Sequence, residues 1–271
     1  LLLLHGREVT TYRGHANVFG ESSFTDFRLP APTASPAALV NALHQTGALV
    51  SINHPNRPDD ESCMGCGWNV ADTDVMRSID AVEVVNGTTR TGPMAGWAFW
   101  MARLNEGFRL TAIGGSDKHA IDNPNEETIG VPATVVYASE LSERAIVSGL
   151  KSGRVYIRTM GMGGPELEFW ADVGGTRTEM GGTLSPATLT LHAEVARADG
   201  QRLEWIRRGT VIAAERFDLS GADLVHALPR RARSVAQRDR HARARLQLLA
   251  RVNQRLPVQA MGLWIRELTK Q

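Results

Sequence analysis

The feature that most constrains the fold is an alternation of apolar runs with helix-like segments, from the start of the chain to about residue 153. The apolar runs are LLLL, GALVSI, DAVEVV, LTAIG and VPATVVY, and the segments between them include SPAALVNALHQTG, GPMAGWAFWMARLNEG and SELSERAIVSGLKSG. Such alternation is typical of strands separated by helices. Near-continuous apolar strands indicate a mostly parallel sheet, open or closed into a barrel, with LLLL as a core strand.

Residues that commonly flank helices support this interpretation. Ser35 and Ser139 stand where the side chain of an N-cap residue would accept a backbone hydrogen bond. Gly47, Gly107 and Gly153 stand where the same helices would end. We therefore expect three helices between the apolar runs.

From about residue 165 the apolar residues alternate with period two, which is typical of strands with one buried face. This pattern predicts a small antiparallel β appendage after the α/β part. We divide the chain into residues 1–160, a β-rich appendage at 161–225 and an arginine-rich tail at 226–271. The alternating residues are Leu167, Phe169, Ala171 and Val173, then Leu189, Leu191, Ala193 and Val195.

Composition and charge exclude some classes of protein. The chain is 42% hydrophobic and 22% charged, and no apolar run approaches the roughly 18 residues that a membrane helix needs, so we expect no membrane partner. Residues 229–255 hold nine arginines and one aspartate although the whole chain has a net charge of +1. A nucleic-acid-binding tail is one interpretation, but aromatic residues do not interleave with these arginines, so we do not expect nucleic acid as a partner.

Residues that can bind metals or transfer protons follow several of the predicted strands. In parallel α/β sheets, functional side chains collect at the carboxyl ends of strands. The pattern therefore predicts a site at that edge of the sheet. The residues are Glu8, His54, Glu83, Asn86, Asp117 and His119.

Asp117 and His119 form an Asp-x-His pair after a predicted strand. Residues two apart in extended backbone project to the same side, and Gly114 and Gly115 leave room for a close approach. A lone Asp-x-His is more often a turn than a ligand pair, but here several other strand ends carry similar residues. Mixed imidazole and carboxylate ligands suit zinc, manganese or iron, and hydrolysis is the chemistry that such ions commonly support.

Four motifs occur in the order GREVTTYRGHANVFG, INHPN, DAVEVVNG and AIGGSDKHA. Together they resemble the PHP (polymerase and histidinol phosphatase) superfamily of metallohydrolases, in the branch of carbaryl hydrolase (CehA/McbA type), over roughly residues 2–220. The resemblance implies a distorted (β/α)₇ barrel, TIM-like, with up to three divalent ions. It also implies hydrolysis of a small phosphoester, carboxyl ester or carbamate by a metal-bound hydroxide.

The resemblance implies roles for individual residues. Glu8 matches a carboxylate that bridges two ions, and His15 and His54 match ligands of one of these ions. Asp117 and His119 match the last ligand motif and would serve neighbouring ions. Glu8, His54 and Asp117 are the residues that we expect to carry catalysis.

The matching family stretch in DAVEVVNG gives two residues a different role. Glu83 and Asn86 lie at a predicted strand end, where hydrogen bonding to the ligands or contact with substrate is expected rather than ligation. We therefore place them around the metal site and not in it.

The chain also departs from the family pattern. The family begins with a His-x-His strand and a second histidine motif, and neither precedes LLLL. We therefore expect a PHP barrel that lacks its first strands, with one metal held by Glu8, His15 and His54, and impaired activity. The abrupt change to arginine-rich sequence after ERFDLSG predicts a frame-shifted tail, or a disordered or helical one.

Two alternative interpretations remain open at the level of sequence. A reduced barrel could be a non-catalytic module that binds a metal or regulates a partner. Cys63-x-x-Cys66 suggests zinc or redox chemistry, but no second ligand pair at matching spacing is evident, so a loop position near the barrel mouth is the preferred interpretation. Oligomeric state and compartment do not follow from the sequence.

Overall fold

The computed structural model of the chain describes residues 1–27, 35–70, 72–89, 91–126, 128–184, 188–198, 201–216, 234–238, 243–251, 256–257 and 261–267. The chain divides into two compact units, Leu1–Met162 and Gly163–Gln271. Among the helices in these described ranges, none is both long and apolar enough to cross a membrane.

A five-stranded mixed sheet is the centre of the first unit. Its strands, which lie in chain order, are β1 (Gly6–Thr11), β2 (Gly14–Phe19), β3 (Leu49–Ile52), β4 (Ala81–Asn86) and β5 (Thr111–Gly115). The pairing is antiparallel between β1 and β2 and between β2 and β3. It is parallel between β3 and β4 and between β4 and β5.

The predicted (β/α)₇ barrel is therefore wrong, both as a closed barrel and as a mostly parallel sheet. Among the described residues the five-stranded sheet is open, with β1 and β5 at its two edges. Only two residues separate β1 from β2, a connection that allows an antiparallel hairpin but not a parallel crossover, which needs about a dozen residues. The last predicted strand also lies elsewhere, because β6 (Ala133–Val136) pairs antiparallel with β7 (Val155–Arg158).

The expectation that LLLL forms a core strand is wrong as well. Residues 1–5 have no strand structure, and Leu1 and Leu3 are exposed. The strand begins instead at Gly6, where pairing with Phe19 on β2 begins. An apolar run by itself does not make a strand, because its backbone groups need a neighbouring strand with which to pair.

Helix ends in the first unit follow local capping chemistry. Ser35 Oγ accepts a hydrogen bond from Ala38 N at 3.1 Å, as predicted. The predicted cap at Ser139 is wrong, since Ser142 stands directly before the helix and its Oγ accepts from Ala145 N at 3.2 Å. The helices are α1 (Pro36–Gln45), α2 (Thr73–Ser78), α3 (Trp97–Asn105) and α4 (Glu143–Lys151), and α1, α3 and α4 are followed by Gly47, Gly107 and Gly153, all with positive φ.

The main core of this unit packs one face of the sheet against α1, α2 and α3. Leu43 and Trp100 supply large buried side chains from two of these helices, and Trp100 Nε1 donates to Leu110 O at 2.8 Å. Burial of a leucine side chain stabilises a fold by about 1.5–3 kcal/mol. This packing fixes the carboxyl ends of β3, β4 and β5, which carry the candidate site.

The second unit is built from antiparallel strands. The strands are β8 (Glu166–Val173), β9 (Thr176–Glu179), β10 (Thr183–Leu184), β11 (Thr188–Ala196), β12 (Gln201–Arg207), β13 (Thr210–Arg216), β14 (Ser234–Arg238), β15 (Arg243–Arg251), β16 (Leu256–Pro257) and β17 (Met261–Glu267). One sheet has the order β14-β15-β11-β8-β9, a second the order β13-β12-β17, and β10 pairs with β16. Leu167, Phe169 and Ala171 on β8 are buried, as the period-two pattern predicts.

The predicted tail at 226–271 falls partly outside the described residues. Its described parts are the strands β14 to β17, each paired in one of the sheets above. The prediction of a disordered or helical tail therefore does not apply to these parts. The frame-shift interpretation stays a prediction.

Candidate metal centre

Glu8, His15 and His54 converge at one edge of the mixed sheet. Their ligand atoms lie within 4.8 Å of one another. Glu8 Oε1 is 3.3 Å from His15 Nδ1 and 3.7 Å from His54 Nε2. The two imidazole rings meet edge to face with centroids 5.1 Å apart. This grouping, predicted from the sequence as a ligand set, can hold a metal ion.

The strand register explains why these three residues meet. Glu8 pairs with Asn17, and Thr10 pairs with His15, so Glu8 and His15 are diagonal neighbours on one face of the β1–β2 hairpin. His54 follows the end of β3, and the preceding Asn53 N donates to His15 O at 3.0 Å. Asn53 also donates from Nδ2 to Glu8 Oε1 at 3.0 Å.

His54 is held in a strained backbone conformation. Its φ is 27°, a region that residues with a Cβ rarely adopt. The backbone N–H of His54 donates to Glu83 Oε2 at 3.0 Å, which helps to hold this geometry. Strain at a residue that also carries a candidate ligand atom is a common feature of functional sites.

Two carbonyl oxygens set the orientation of the imidazoles. Met64 O lies 3.1 Å from His15 Nε2, and Cys66 O lies 3.3 Å from His54 Nδ1. Because a carbonyl only accepts, each of these nitrogens must carry the proton when it forms the hydrogen bond. In the neutral imidazoles, the lone pairs of His15 Nδ1 and His54 Nε2 are then directed toward Glu8, as metal ligation requires.

Hydrogen bonds, burial and neighbouring charges shift the pKa values of Glu8 and His54. The hydrogen bond with His15, together with those from His54 and Asn53, holds the pKa of Glu8 well below its usual range. Burial disfavours charge on His54, but its hydrogen bond with Glu8 and the nearby carboxylates outweigh burial and raise its pKa. The result is an ionised carboxylate beside two imidazoles. A divalent ion bound here would displace the proton that His54 shares with Glu8, after which the set of one carboxylate and two neutral imidazoles suits such an ion.

Glu83 is a buried carboxylate on β4, 4% exposed. Burial raises its pKa to about 7, although hydrogen bonds from Asn86 Nδ2 and His54 N favour its charged form. A Cβ added at Gly115 would lie 3.0 Å from Glu83 Oε1, so this glycine leaves the room that the sequence suggested.

Asp117 and His119 lie beside the three-residue cluster. Among the described residues, neither belongs to a group of three potential ligands within 4.8 Å of one another. Asp117 has a φ of 50°, accepts a hydrogen bond from Asn86 Nδ2 at 3.1 Å and lies 3.6 Å from Arg57 Nη1. His119 Nε2 is 3.7 Å from Asp117 Oδ1, with a side chain that is 71% exposed. Their assignment as ligands stays a prediction.

A pocket of about 430 Å³ opens next to the cluster. His54 belongs both to the cluster and to the wall of this pocket, so a molecule in the pocket can reach the candidate metal site. Arg57, which the sequence interpretation did not single out, supplies a cation to the wall. The polar and charged side chains of the wall include His54, Arg57, Asp60, Asn86, Ser116, Asp117, His119 and Glu126.

Sequence reasoning also missed Asn53 and the contacts of the Cys63–Cys66 loop. Asn53 stands within the INHPN motif, next to His54, so its position was an available signal. The contacts of Met64 and Cys66 with the imidazoles join residues 49 and 12 positions apart, and no local pattern indicates them.

Comparisons with known proteins do not identify a family for this chain. No protein-family model matches it. No curated protein is significantly similar to it.

Proposed function

We propose that the chain is a metal-dependent hydrolase of small phosphoesters, carboxyl esters or carbamates, related to the PHP superfamily. The observation that supports this proposal is the convergence of the Glu8, His15 and His54 ligand atoms within 4.8 Å of one another beside a pocket. A divalent ion held by these residues would lower the pKa of a water molecule and polarise the reacting ester. Zinc, manganese and iron all suit this donor set.

The chain's own residues have separable roles in this proposal. Glu8, His15 and His54 hold the ion, and Asn53 orients Glu8 through a hydrogen bond of 3.0 Å. Asp117 faces the pocket and accepts from Asn86 Nδ2, so its carboxylate is positioned to accept a proton or a hydrogen bond from the substrate.

Arg57 offers the pocket a group that can bind phosphate oxygens. Its guanidinium lies 3.6 Å from Asp117 and its side chain is partly exposed. A guanidinium suits the oxygens of a phosphoester, and a substrate that binds it must compete with Asp117 in a wall that also holds Asp60 and Glu126.

A non-catalytic metal-binding or regulatory module is the second candidate. One observation favours it: Asp117 lies beside Arg57 and Asn86 and is not part of the three-ligand cluster, so the geometry supports one ion and not two. Without a second ion, stabilisation of the leaving oxygen would depend on protein groups alone.

Hydrolysis assays distinguish the two candidates. The metal-free protein is supplied with Mn²⁺, Zn²⁺ or Fe²⁺ and assayed with an aryl phosphate, a diaryl phosphate, an aryl acetate and an aryl methylcarbamate. We expect metal-dependent turnover of at least one ester, loss of turnover in His54→Ala and retention in His5→Ala, an exposed histidine outside the site. Metal binding without turnover of any ester would favour the non-catalytic module.

A further inference from the structure

The loop of residues 63–66, here called the cysteine loop, packs against the β1–β2 hairpin that carries His15. Gly65 has a φ of +75°, and a Cβ at this position would collide with Thr11 O. Its backbone N–H donates to Asp59 Oδ1 at 2.7 Å, and Cys63 N donates to Asp60 Oδ1 at 3.2 Å. These contacts hold the loop in place independently of its two sulfur atoms.

The cysteine loop brings two sulfur atoms next to His15. Cys63 and Cys66 are disulfide-bonded, with Cα atoms 5.4 Å apart. The ligand atoms of His15, Cys63 and Cys66 lie within 4.8 Å of one another. The Nε2 edge of His15 faces this loop, 3.1 Å from Met64 O, while its Nδ1 edge faces Glu8. His15 therefore stands between an oxygen ligand on one side and a pair of sulfurs on the other.

We propose that Cys63, Cys66 and His15 form a second metal site, which binds a thiophilic ion such as Zn²⁺ or Cu⁺ when the disulfide is reduced. Two cysteines separated by two residues can both reach one ion, and an imidazole is a frequent third ligand of such sites. Thiolate ligands select soft or borderline ions, in contrast to the carboxylate-containing set of Glu8, His15 and His54.

The Cys63–Cys66 disulfide must be reduced before this second site can bind a metal. A dithiol reductant transfers two electrons and two protons to the Cys63–Cys66 bond, gives two thiols and is itself oxidised to a disulfide. Metal binding then releases both thiol protons. Cys66 is buried, whereas Cys63 is half-buried and its neighbour Met64 is 62% exposed, so the reductant approaches the disulfide from the side of Cys63.

His15 is common to both ligand sets, with Nε2 toward the cysteine loop and Nδ1 toward Glu8. A neutral imidazole has one free lone pair, so it serves one site at a time and the two sites compete for it. Under oxidising conditions the cysteines cannot bind a metal, and His15 serves the site with Glu8 and His54. Under reducing conditions a thiophilic ion draws His15 toward the cysteine loop. This inference does not depend on whether the first site hydrolyses esters.

Cobalt spectroscopy of the full chain tests the proposal. The protein is reduced with dithiothreitol, desalted without oxygen and titrated with Co²⁺, while the disulfide form serves as the comparison. We expect a near-ultraviolet sulfur-to-cobalt charge-transfer band in the reduced protein alone, and its loss in Cys63→Ser. His15→Ala should weaken Co²⁺ binding at this site by roughly tenfold or more. His5→Ala, a change at an exposed histidine outside both ligand sets, is the control that should keep the band.

A reduced protein without the band, or His15→Ala with unchanged affinity, would overturn the proposal. Should His15→Ala fail to fold, X-ray absorption of the reduced wild-type protein loaded with one Zn²⁺ replaces it. Two sulfur neighbours and at least one imidazole support the site. Four sulfurs, supplied by two chains, or no imidazole would contradict it.

Discussion

The backbone N–H of His54 donates a hydrogen bond to Glu83 Oε2 at 3.0 Å, which ties a candidate ligand on one strand end to a buried carboxylate on the next strand. Glu83 also accepts from Asn86 Nδ2 at 3.0 Å, and the same Nδ2 donates to Asp117 Oδ2 at 3.1 Å. A chain of hydrogen bonds thus runs from His54 to Asp117 through Glu83 and Asn86. It connects the three-residue cluster to the pocket wall.

Glu83→Gln should weaken metal binding although Glu83 is not expected to touch the ion. His54 N and Asn86 Nδ2 both donate to Glu83 Oε2, and a neutral amide oxygen in that place accepts both hydrogen bonds more weakly than a carboxylate oxygen does. Mutation of such a supporting partner raises the Kd for a metal by about 10–100-fold. Calorimetric titration with Zn²⁺ measures the effect, with the exposed Glu106→Gln as control. Equal Kd values for both variants would show that Glu83 does not support the site.

The buried carboxyl of Glu83 should also make stability depend on pH. Its pKa is about 7 in the folded protein against an ordinary 4.5, so the folded state retains the proton more strongly. The free energy of unfolding of the metal-free protein should therefore fall as pH rises from about 4.5 to 7, by about 1.4 kcal/mol for each unit of pKa shift. Urea unfolding across this range should show this component in the wild type and not in Glu83→Gln. Parallel profiles would contradict it.

Gly115→Ala should disturb the site through contact with the same carboxylate. The new Cβ would lie 3.0 Å from Glu83 Oε1, so the carboxylate must give by a few tenths of an ångström, and we expect the hydrogen bond between its Oε2 and His54 N to weaken. We expect metal affinity to fall by roughly tenfold. Gly163→Ala is a matched control, because a Cβ there meets nothing within 4 Å. An unchanged Kd in Gly115→Ala would mean that the site tolerates movement of Glu83.

Arg57→Met should raise the KM for an anionic substrate more than the KM for a neutral one. The arginine lines the pocket, and removal of its charge leaves phosphoester oxygens without this cation. Loss of a charged contact costs about 1.5–3 kcal/mol, so the KM for an aryl phosphate should rise by roughly tenfold or more. The KM for a neutral aryl acetate should change little. Arg77→Met, a change at an exposed arginine on α2, controls for general effects, and equal KM changes for both substrates would argue against this role.

Local features of the fold could be predicted from the sequence, and its pairing could not. The positions of Gly47, Gly107 and Gly153 marked helix ends correctly because capping depends on neighbours in the chain. The direction of strand pairing depends on contacts between distant segments. The two-residue connection between β1 and β2 was a missed signal, since it allows only an antiparallel hairpin.

In the candidate site, too, local sequence rules place some residues correctly and do not indicate the contacts between distant segments. His54, Asn86 and Asp117 lie at or just beyond the carboxyl ends of β3, β4 and β5, so the rule for parallel strands placed them at one edge of the sheet. Glu8 lies inside β1 and reaches the site across the hairpin instead. The contact between His15 and the cysteine loop joins residues 49 positions apart, and no periodicity in the sequence indicates it.

Metal binding by the protein with its disulfide intact tests the central claim most directly. The metal-free wild type and His54→Ala are titrated with Zn²⁺ and with Mn²⁺ by calorimetry, under oxidising conditions that keep the cysteines from binding. The account predicts one equivalent bound by the wild type and at least tenfold weaker binding by His54→Ala. No binding by the wild type, or equal binding by both proteins, would contradict a metal site at Glu8, His15 and His54.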